Sequence, residues 1–478
     1  MNSEQLVIDI LAISNVPDEQ ENRDLIALGV DKLLSSLKSF EDVSLSKIDK
    51  NYIESLIGEI DALLGTQLDE IVHHDSFQQL ESQWRSIDFL VESIDFNENI
   101  SIDVIDIEKS TLLNNFQDVN DLSNSGLYKK LFTDEYGQFG GQPYGVIIGN
   151  YDITPGASDI DFLGYMAGIA AMNHSPFICA ADESFFNLND FSGLGKIKHL
   201  ESVFEGPQFT KWRALRDSED GRYIGLTLPR FMLRDLYGES IPVKSFDYYE
   251  GISSKHDYLW GNAAFCYATR LAESFAKYRW CPNIIGPQSG GAVENLPIHV
   301  QEINGEEIVA GPTEVLIADR REYELAEAGF IPLVAKKSTD SAVFFSSNSI
   351  QVPKRFSNDD EGKQAELNFK LGTQLPYLFI INRLAHYVKV LQRENLGSWK
   401  SRTELEAELT KWIRQYVADQ ESPSAATRSQ RPLRKATLAV EEDSGNAGWY
   451  SVSLSITPHF KFMGANFTLS LTSLLERA

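Results

Sequence analysis

The 478 residues carry 69 Asp/Glu against 43 Lys/Arg, a formal charge of −26, with 42% hydrophobic and 11% aromatic content. That is a globular composition with room for two or three domains, and its acidity argues against nucleic acid, which requires a basic footprint. Three cysteines (Cys179, Cys266, Cys281) with no Cys-x-x-Cys pair predict buried thiols in a reducing compartment rather than a disulfide framework or a zinc site. No apolar run approaches the ~20 residues of a membrane span, and Met1-Asn-Ser-Glu-Gln has neither a basic nor an apolar signal region, so the expectation is a cytoplasmic protein with no direct membrane insertion.

The first ~95 residues read as helices. Leu6, Val7, Ile10 and Leu11 follow helical spacing up to Val16-Pro17-Asp18. Leu25, Leu28, Leu33, Leu34 and Leu37 mark a second helix, and Tyr52, Leu56, Ile60, Leu63 and Leu64 a third. Phe77, Leu80, Trp84, Ile87 and Val91 mark a fourth. These apolar stripes must be buried against something. The charge gathers here: residues 1–120 hold 25 Asp/Glu against 7 Lys/Arg, whereas residues 396–437 hold 8 Lys/Arg against 5 Asp/Glu. Ends of opposite sign suit head-to-tail assembly.

From about Ile100 the pattern changes. Tyr144-Gly-Val-Ile-Ile-Gly149 is a continuous apolar strand, Ser158-Asp-Ile-Asp161 a candidate capping box for a helix over 159–173, and Pro176-Phe-Ile-Cys-Ala-Ala181 the next strand. Together they form a βαβ unit, which implies a parallel pair in a helix-covered sheet. Further strands are predicted near 223–228, 283–285, 313–318, 331–335 and 341–346, with helices over 261–279 and about 367–395. Ser357-Asn-Asp-Asp-Glu-Gly362 is a polar loop and the best internal boundary.

Towards the C-terminus, Ser401-Arg-Thr-Glu404 is a capping box for a helix over Arg402–Asp419. Its apolar side is Leu405, Leu409, Trp412, Ile413, Tyr416 and Val417; Glu404, Glu406, Glu408, Lys411 and Arg414 are among its polar positions. A loop, Gln420–Pro432, follows. Tyr450, Val452, Leu454 and Ile456 then alternate with serines, and Phe467, Leu469 and Leu471 alternate with Thr and Ser. These are two half-buried strands, the last nearly at the terminus and free to pair with another chain. The fold class is α+β: an acidic helical arm (1–98), a central helix-covered mixed sheet (99–362), and a C-terminal helix with a β-meander (363–478).

Motifs for bond chemistry are missing. Gly193-Leu-Gly-Lys196 lacks P-loop spacing, and the glycines at 137, 140, 141 and 145 precede a strand where a dinucleotide fingerprint must follow one. Gln288-Ser-Gly-Gly-Ala292 reads as a tight turn. No cofactor or metal site is predicted. An enzyme reading would centre on His256 and Asp257 with Cys266 and the Gly-rich loops, but catalytic groups meet in space rather than as sequence neighbours, and an N-capping Asp257 accounts better for that pair.

The run from Lys211 to Arg234, Lys-Trp-Arg-Ala-Leu-Arg-Asp-Ser-Glu-Asp-Gly-Arg-Tyr-Ile-Gly-Leu-Thr-Leu-Pro-Arg-Phe-Met-Leu-Arg, alternates charge with bulky apolar residues. It reads as a polar network or a binding surface. It also resembles the signature of the TssC/VipB family, the large sheath subunit of the bacterial type VI secretion system. Similar blocks occur in order along nearly the whole chain: Glu135-Tyr-Gly-Gln-Phe-Gly-Gly-Gln-Pro143, His256-Asp-Tyr-Leu-Trp-Gly-Asn-Ala-Ala264, Ala276-Lys-Tyr-Arg-Trp-Cys-Pro282, Pro312-Thr-Glu-Val-Leu-Ile-Ala-Asp-Arg-Arg-Glu322, Asn382-Arg-Leu-Ala-His386 and Lys411-Trp-Ile-Arg-Gln-Tyr-Val417.

The resemblance implies a structural subunit, not an enzyme. It would pair with a small sheath subunit (TssB/VipA) and stack with copies of itself from a baseplate into a helical cylinder around an Hcp tube, which contraction drives into a target cell. It further implies that Leu6, Val7, Ile10 and Leu11 form a handle for the ClpV AAA+ unfoldase, and that the helix bearing Glu404, Glu406, Glu408, Lys411 and Arg414 faces the tube. The strands bearing Tyr450, Val452, Leu454, Ile456, Phe467, Leu469 and Leu471 would exchange strands with neighbouring protomers.

Overall fold

The computed structural model describes residues 20–39, 50–238, 241–243, 246–303, 306–357, 359–394, 402–420, 423–442, 449–459 and 469–476. These form two compact units, residues 1–70 with 237–251, and residues 71–236 with 252–478. In the first, the helices Gln20–Ser39 and Lys50–Val72 follow from leucine-rich 3.6-residue spacing. The segment 237–251 is tied to the second of them: Tyr248 Oη donates to Asp69 at 2.6 Å, and the Gly251 N–H reaches the same carboxylate at 3.3 Å. Leu25 and Leu28 on the first helix, and Ile57, Ile60, Leu63 and Leu64 on the second, are exposed.

The second unit holds thirteen described strands: β1 (Ile147–Ile153), β2 (Phe177–Ala181), β3 (Ile224–Leu228), β4 (Phe231–Met232), β5 (Trp260–Gly261), β6 (Ala292–Val293), β7 (His299–Ile303), β8 (Glu306–Gly311), β9 (Phe330–Ala335), β10 (Ala342–Phe344), β11 (Leu433–Glu442), β12 (Trp449–Pro458) and β13 (Leu469–Glu476). Six build the central sheet in the order β1-β2-β3-β9-β10-β6. The first four run parallel; β10 and β6 close the far edge antiparallel. Every residue of β2, β3 and β9 is buried, which is why these strands read as unbroken apolar runs.

Alternate residues feed two cores. Phe177, Cys179, Leu226 and Phe330 pack with Phe162, Leu163 and Met166 of the helix Ala157–Asn173. Ile178, Ile331 and Leu333 face the other way, with Ala264, Tyr267 and Leu271 of the helix Ala263–Tyr278 and with Leu375 and Leu378 of the helix Leu375–Glu394. This two-faced cover is the mixed α+β architecture expected, and the βαβ unit Ile147–Ala181 lies where the sequence places it.

Several local expectations are corrected. The helix 157–173 has Gly156 at its N-cap and no side-chain cap; Asp159 turns back to accept from Thr154 N–H (2.9 Å) and Oγ1 (2.8 Å) and from Lys109 (3.0 Å). The single helix expected over 367–395 is two, Asp360–Gly372 and Leu375–Glu394. Pro376 has no N–H to continue the first and suits the opening turn of the second. No strand forms at 283–285 or 313–318, where only an isolated Phe231–Thr313 bridge is found. The hairpin β7–β8 was not anticipated.

In the C-terminal section β11, β12 and β13 form an antiparallel meander in that order, with Ile456 opposite Leu469 and Leu454 opposite Leu471. Val452, Leu454 and Ile456 are buried while Ser453 and Ser455 are half-buried, so β12 alternates as expected. Its inner face packs on Ile380, Leu384, Leu409 and Ile413 from the helices Leu375–Glu394 and Arg402–Ile413. The α-helix ends at Ile413 rather than Asp419. Arg414–Tyr416 tightens into a 3₁₀ turn and Val417 becomes extended, bridging Leu433.

Candidate assembly surfaces

The charged run from Lys211 to Arg234 is an internal network. Arg213 donates to the carbonyls of Phe204 (2.7 Å) and Gly206 (3.0 Å). Arg216 donates to those of Ile350 (2.8 Å) and Glu327 (3.2 Å), and burial pulls its pKa down to about 10. Arg230 grips Glu314 with two bonds (2.8 and 3.2 Å) and lies 3.8 Å from Glu183. Burial alone would lower the Arg230 pKa; the bond and charge of Glu314, helped by Glu183 and Asp152, reverse the direction to upward. Arg234, 3% exposed, reaches Glu81 at 2.9 Å. Lys211, paired with Asp161 at 2.7 Å, lies at the surface. Arg213 braces the turn just before it, whereas Arg216, Arg230 and Arg234 join elements far apart in sequence, which a planar five-donor fork does well.

The position of this network bears on catalysis. Arg230 follows β3, Glu183 follows β2 and Asp152 lies near the end of β1. In open α/β sheets ligands bind in the crevice beyond these carboxyl ends. Here a closed set of ion pairs stands there.

The residues of the enzyme reading do not assemble as nucleophile and base. Asp257 commits one oxygen to the backbone N–H groups of Ser253 (2.6 Å) and Ser254 (2.7 Å), closing a capping box on the turn Lys255–Asp257. Ser254, not Asp257, is that N-cap, and the helix 263–278 is capped by Asn262. His256 is exposed; its carbonyl accepts from Gln78 (3.2 Å). Cys266 is fully buried, and burial drives its thiol pKa upward, away from the reactive thiolate. Cys179 is also fully buried, and Cys281 half-buried. Residues 286–291 form a tight turn in which Gly290 has φ +88°; a Cβ there would sit 2.2 Å from the Asn283 carbonyl oxygen. Among the described residues no group of three or more His, Cys, Asp or Glu is arranged to hold a metal ion, and no helix is long and apolar enough to cross a membrane.

Three surfaces stand out for assembly. On the helix Arg402–Ile413, Leu405, Leu409, Trp412 and Ile413 turn inward, while Glu404, Glu408 and Lys411 are exposed and Glu406 is half-buried. Arg414, on the 3₁₀ turn, is exposed as well. At the meander, β12 pairs on both sides, so Val452, Leu454 and Ile456 belong to a central strand, and β11 and β13 are the two outer strands among the described residues. Tyr450 and Leu471 have register positions on β12 and β13 opposite Leu475 and Leu454; Phe467 lies outside the described residues. The third surface is the helix Asp75–Glu92, whose Phe77, Leu80, Trp84 and Val91 are exposed. Leu6, Val7, Ile10 and Leu11, expected from the resemblance to form an unfoldase handle, and the expected cap Ser401 lie outside the described residues.

Comparison with known proteins identifies the family of the chain. Residues 54–351 match the family described as VipB, EvpB/VC_A0108, tail sheath N-terminal domain, and residues 364–475 match its tail sheath gpW/gp25-like domain. The type VI secretion system sheath protein TssC1 of Pseudomonas aeruginosa is 40% identical over 434 residues, covering 89% of this chain and 86% of the relative. Two solved structures also align: an anti-feeding prophage baseplate (TM-score 0.35, 10% identity, 80% of each chain) and the contracted helical sheath of the same system (TM-score 0.30, 11% identity, 75% of this chain and 72% of that one). Agreement that low carries no weight; the sequence matches carry the assignment. The chain belongs to the VipB (EvpB/VC_A0108) family of type VI secretion tail sheath proteins, and its role is that of a structural component of a contractile sheath.

Proposed function

We propose that this chain is the large subunit of a cytoplasmic type VI sheath, that it catalyses no reaction, and that it pairs with a small sheath subunit before stacking from the baseplate around an Hcp tube. The observation that carries this reading is the match to both sheath domains along residues 54–475, with 40% identity to a sheath protein over most of the chain. Work would come from repacking subunit interfaces between an extended and a contracted arrangement, a rigid-body switch that needs no reactive group.

Within this reading residues 1–98 are the arm that meets the small subunit and, through Leu6, Val7, Ile10 and Leu11, the ClpV unfoldase. Residues 99–362 form the central sheath domain. Residues 363–478 supply the tube-facing helix and the exchange sheet. Two features support that last assignment: the polar side of the helix 402–413 is exposed, and β13 has a described neighbour on one side. An outer strand left open is a template for a strand from another chain.

Coexpression with the small subunit, followed by sedimentation and negative-stain microscopy, tests the proposal. Megadalton tubules are expected. A soluble oligomer of a few copies, with no tubules at any salt concentration, would overturn it.

A further inference from the structure

Three blocks of the sequence, residues 276–282, 382–386 and 411–417, converge on one side chain, that of Arg383. Its guanidinium carbon lies 4.5 Å from the centre of the Phe275 ring, 5.0 Å from that of Tyr387 and 5.8 Å from that of Trp280. Nη2 donates to the Tyr387 hydroxyl at 2.6 Å, and Nε is buried with no hydrogen-bond partner in the protein. Among the described residues no carboxylate is paired with this cation, although the chain holds 69 Asp/Glu. Aromatic rings hold it instead, through the attraction of a cation to their electron-rich faces.

The rings come from different parts of the fold. Phe275 and Trp280 end the helix Ala263–Tyr278 and follow it, inside the match to the sheath N-terminal domain; Tyr387 belongs to the helix Leu375–Glu394, inside the match to the gpW/gp25-like domain. Trp280 is a fixed wall. It is 3% exposed, follows Arg279 in the left-handed conformation (φ 65°), and its carbonyl accepts from the Ser274 hydroxyl at 2.9 Å. The far end of the helix Arg402–Ile413 leans on that wall. Tyr416 meets Trp280 edge-on at 5.1 Å and lies parallel to Tyr387 at 6.3 Å, and Trp412 meets Tyr387 at 6.1 Å. Leu405 and Leu409 secure the same helix to Leu438 and Val440 of the meander.

We propose that Arg383 is the positioning residue of the helix Arg402–Ile413. Its charge gathers Trp280 from the central domain and Tyr387 from the C-terminal domain, and the two rings so placed define where Tyr416 sits. The exposed Glu404, Glu408 and Lys411 are thereby presented at a set angle to the central sheet. An arginine that only filled space would be replaceable by methionine, which offers a similar apolar stem. A lysine would keep the charge but lose the planar face that stacks on rings. What the helix surface meets rests on the sheath reading; the joint itself does not.

Spin labels at Lys337→Cys, in the turn after β9, and at Ala407→Cys report the distance from the central sheet to the helix in the full chain, with half-buried Cys281 replaced by serine. Wild type is expected to give one narrow distance, Arg383→Met a distribution about twice as broad, and Arg383→Lys an intermediate one. Tyr387→Phe, which removes only the hydroxyl, should stay narrow, whereas Tyr387→Leu should broaden; these two decide the matter if Arg383→Met does not fold. A control pair at Lys337 and exposed Glu201, both in the central domain, should not change. An unchanged distance in Arg383→Met, equal broadening by both Tyr387 variants, or broadening of the control pair would overturn the proposal. In coexpression with the small sheath subunit, Arg383→Met should copurify at wild-type level yet give far fewer tubules on an Hcp tube; normal tubule numbers would overturn its role in assembly. A wild-type pair that makes no tubules refutes the sheath reading instead, and the label distances then still test the joint.

Discussion

Arg230→Met is expected to destabilise the chain by about 3 kcal/mol, the lower end of the range for removing one member of a buried ion pair. The destabilisation originates at Glu314, whose side chain is 3% exposed and accepts one bond on each carboxylate oxygen from Arg230, at 2.8 and 3.2 Å. Methionine fills the volume but leaves that carboxylate buried without a cation. Arg230 itself keeps a quarter of its side chain exposed (26%), so water can partly replace it, which favours the lower end. For a cooperative unit as large as residues 71–236 with 252–478, at ~2.1 cal/mol/K of unfolding entropy per residue, this is about 4 °C in Tm. The assay is thermal unfolding of the purified chain at pH 7, run beside Glu314→Leu and the double variant. If the penalty is the stranded charge, Arg230→Met/Glu314→Leu should recover most of the loss, because an apolar pair replaces a buried ion pair at little cost. A single variant that loses less than about 1 kcal/mol, the worth of an exposed pair, or a double variant no better than the single one, would refute the argument.

Three further outcomes follow from other parts of the molecule. His386, bonded through Nε2 to the Asn173 carbonyl (2.8 Å), faces His174, Tyr136, Arg383 and Lys389, with Arg393 holding the Tyr136 carbonyl; burial is the main cause that lowers its pKa to about 4. A histidine depressed on folding contributes stability that is present above its unfolded pKa near 6.5 and lost as pH falls toward 4, so unfolding monitored over that window should show a loss of about 2–3 kcal/mol that His386→Gln reduces. Charge reversal at exposed Glu404 and Glu408 should impair assembly on an Hcp tube more than pairing with the small subunit, since each contact is worth only ~0–1 kcal/mol and repetition around the cylinder multiplies it; equal loss in both assays would remove the helix from the inner wall. Leu469→Pro and Ser470→Pro must differ, because successive N–H groups of β13 point to opposite sides: one variant should loosen the meander, and the other should leave the soluble fold intact yet block tubules. Two variants with identical effects would count against an open, partner-seeking edge.

What could be read from the sequence was whatever depended on local pattern. The apolar runs at 144–149 and 176–181 with a helix between them announce a parallel pair covered on both faces, and the structure has it. β12 shows its alternation because serines fill the outward positions. β11 was not seen: a register shift between Leu433 and Lys435 breaks the alternation, and inward Ala436, Leu438 and Val440 are offset from Leu433. The hairpin β7–β8 has Glu302, Glu306 and Glu307 at its tip, so no apolar alternation marks it. Pro376 was the available signal for the broken helix. The ion-pair network was beyond reach for another reason. Arg234 meets Glu81 across 153 positions and Arg230 meets Glu314 across 84, and no spacing rule connects them.

The outward face of the helix Asp75–Glu92 and the outer strand β13 would recognise partners by different physics, and that difference suits a machine that changes shape. A strand added to β13 would be held by backbone hydrogen bonds, which have no preference among side chains and tolerate rotation of whatever they join, provided the linkers flex. The seam of Phe77, Leu80, Trp84, Ile87 and Val91 would be held by interdigitated side chains, which fix register and angle and lose packing when either shifts. A sheath that must stay continuous through contraction needs the first kind of joint between protomers that move relative to one another. It needs the second kind inside the unit that moves as a body. On the proposed sheath reading the acidic helix would set the rigid pairing of unlike chains, and the meander edge would carry the links across which motion occurs. Weakening the seam should therefore reduce the number of building blocks without altering the shape of the tubules that form, whereas weakening the edge should leave building blocks that pair but do not polymerise.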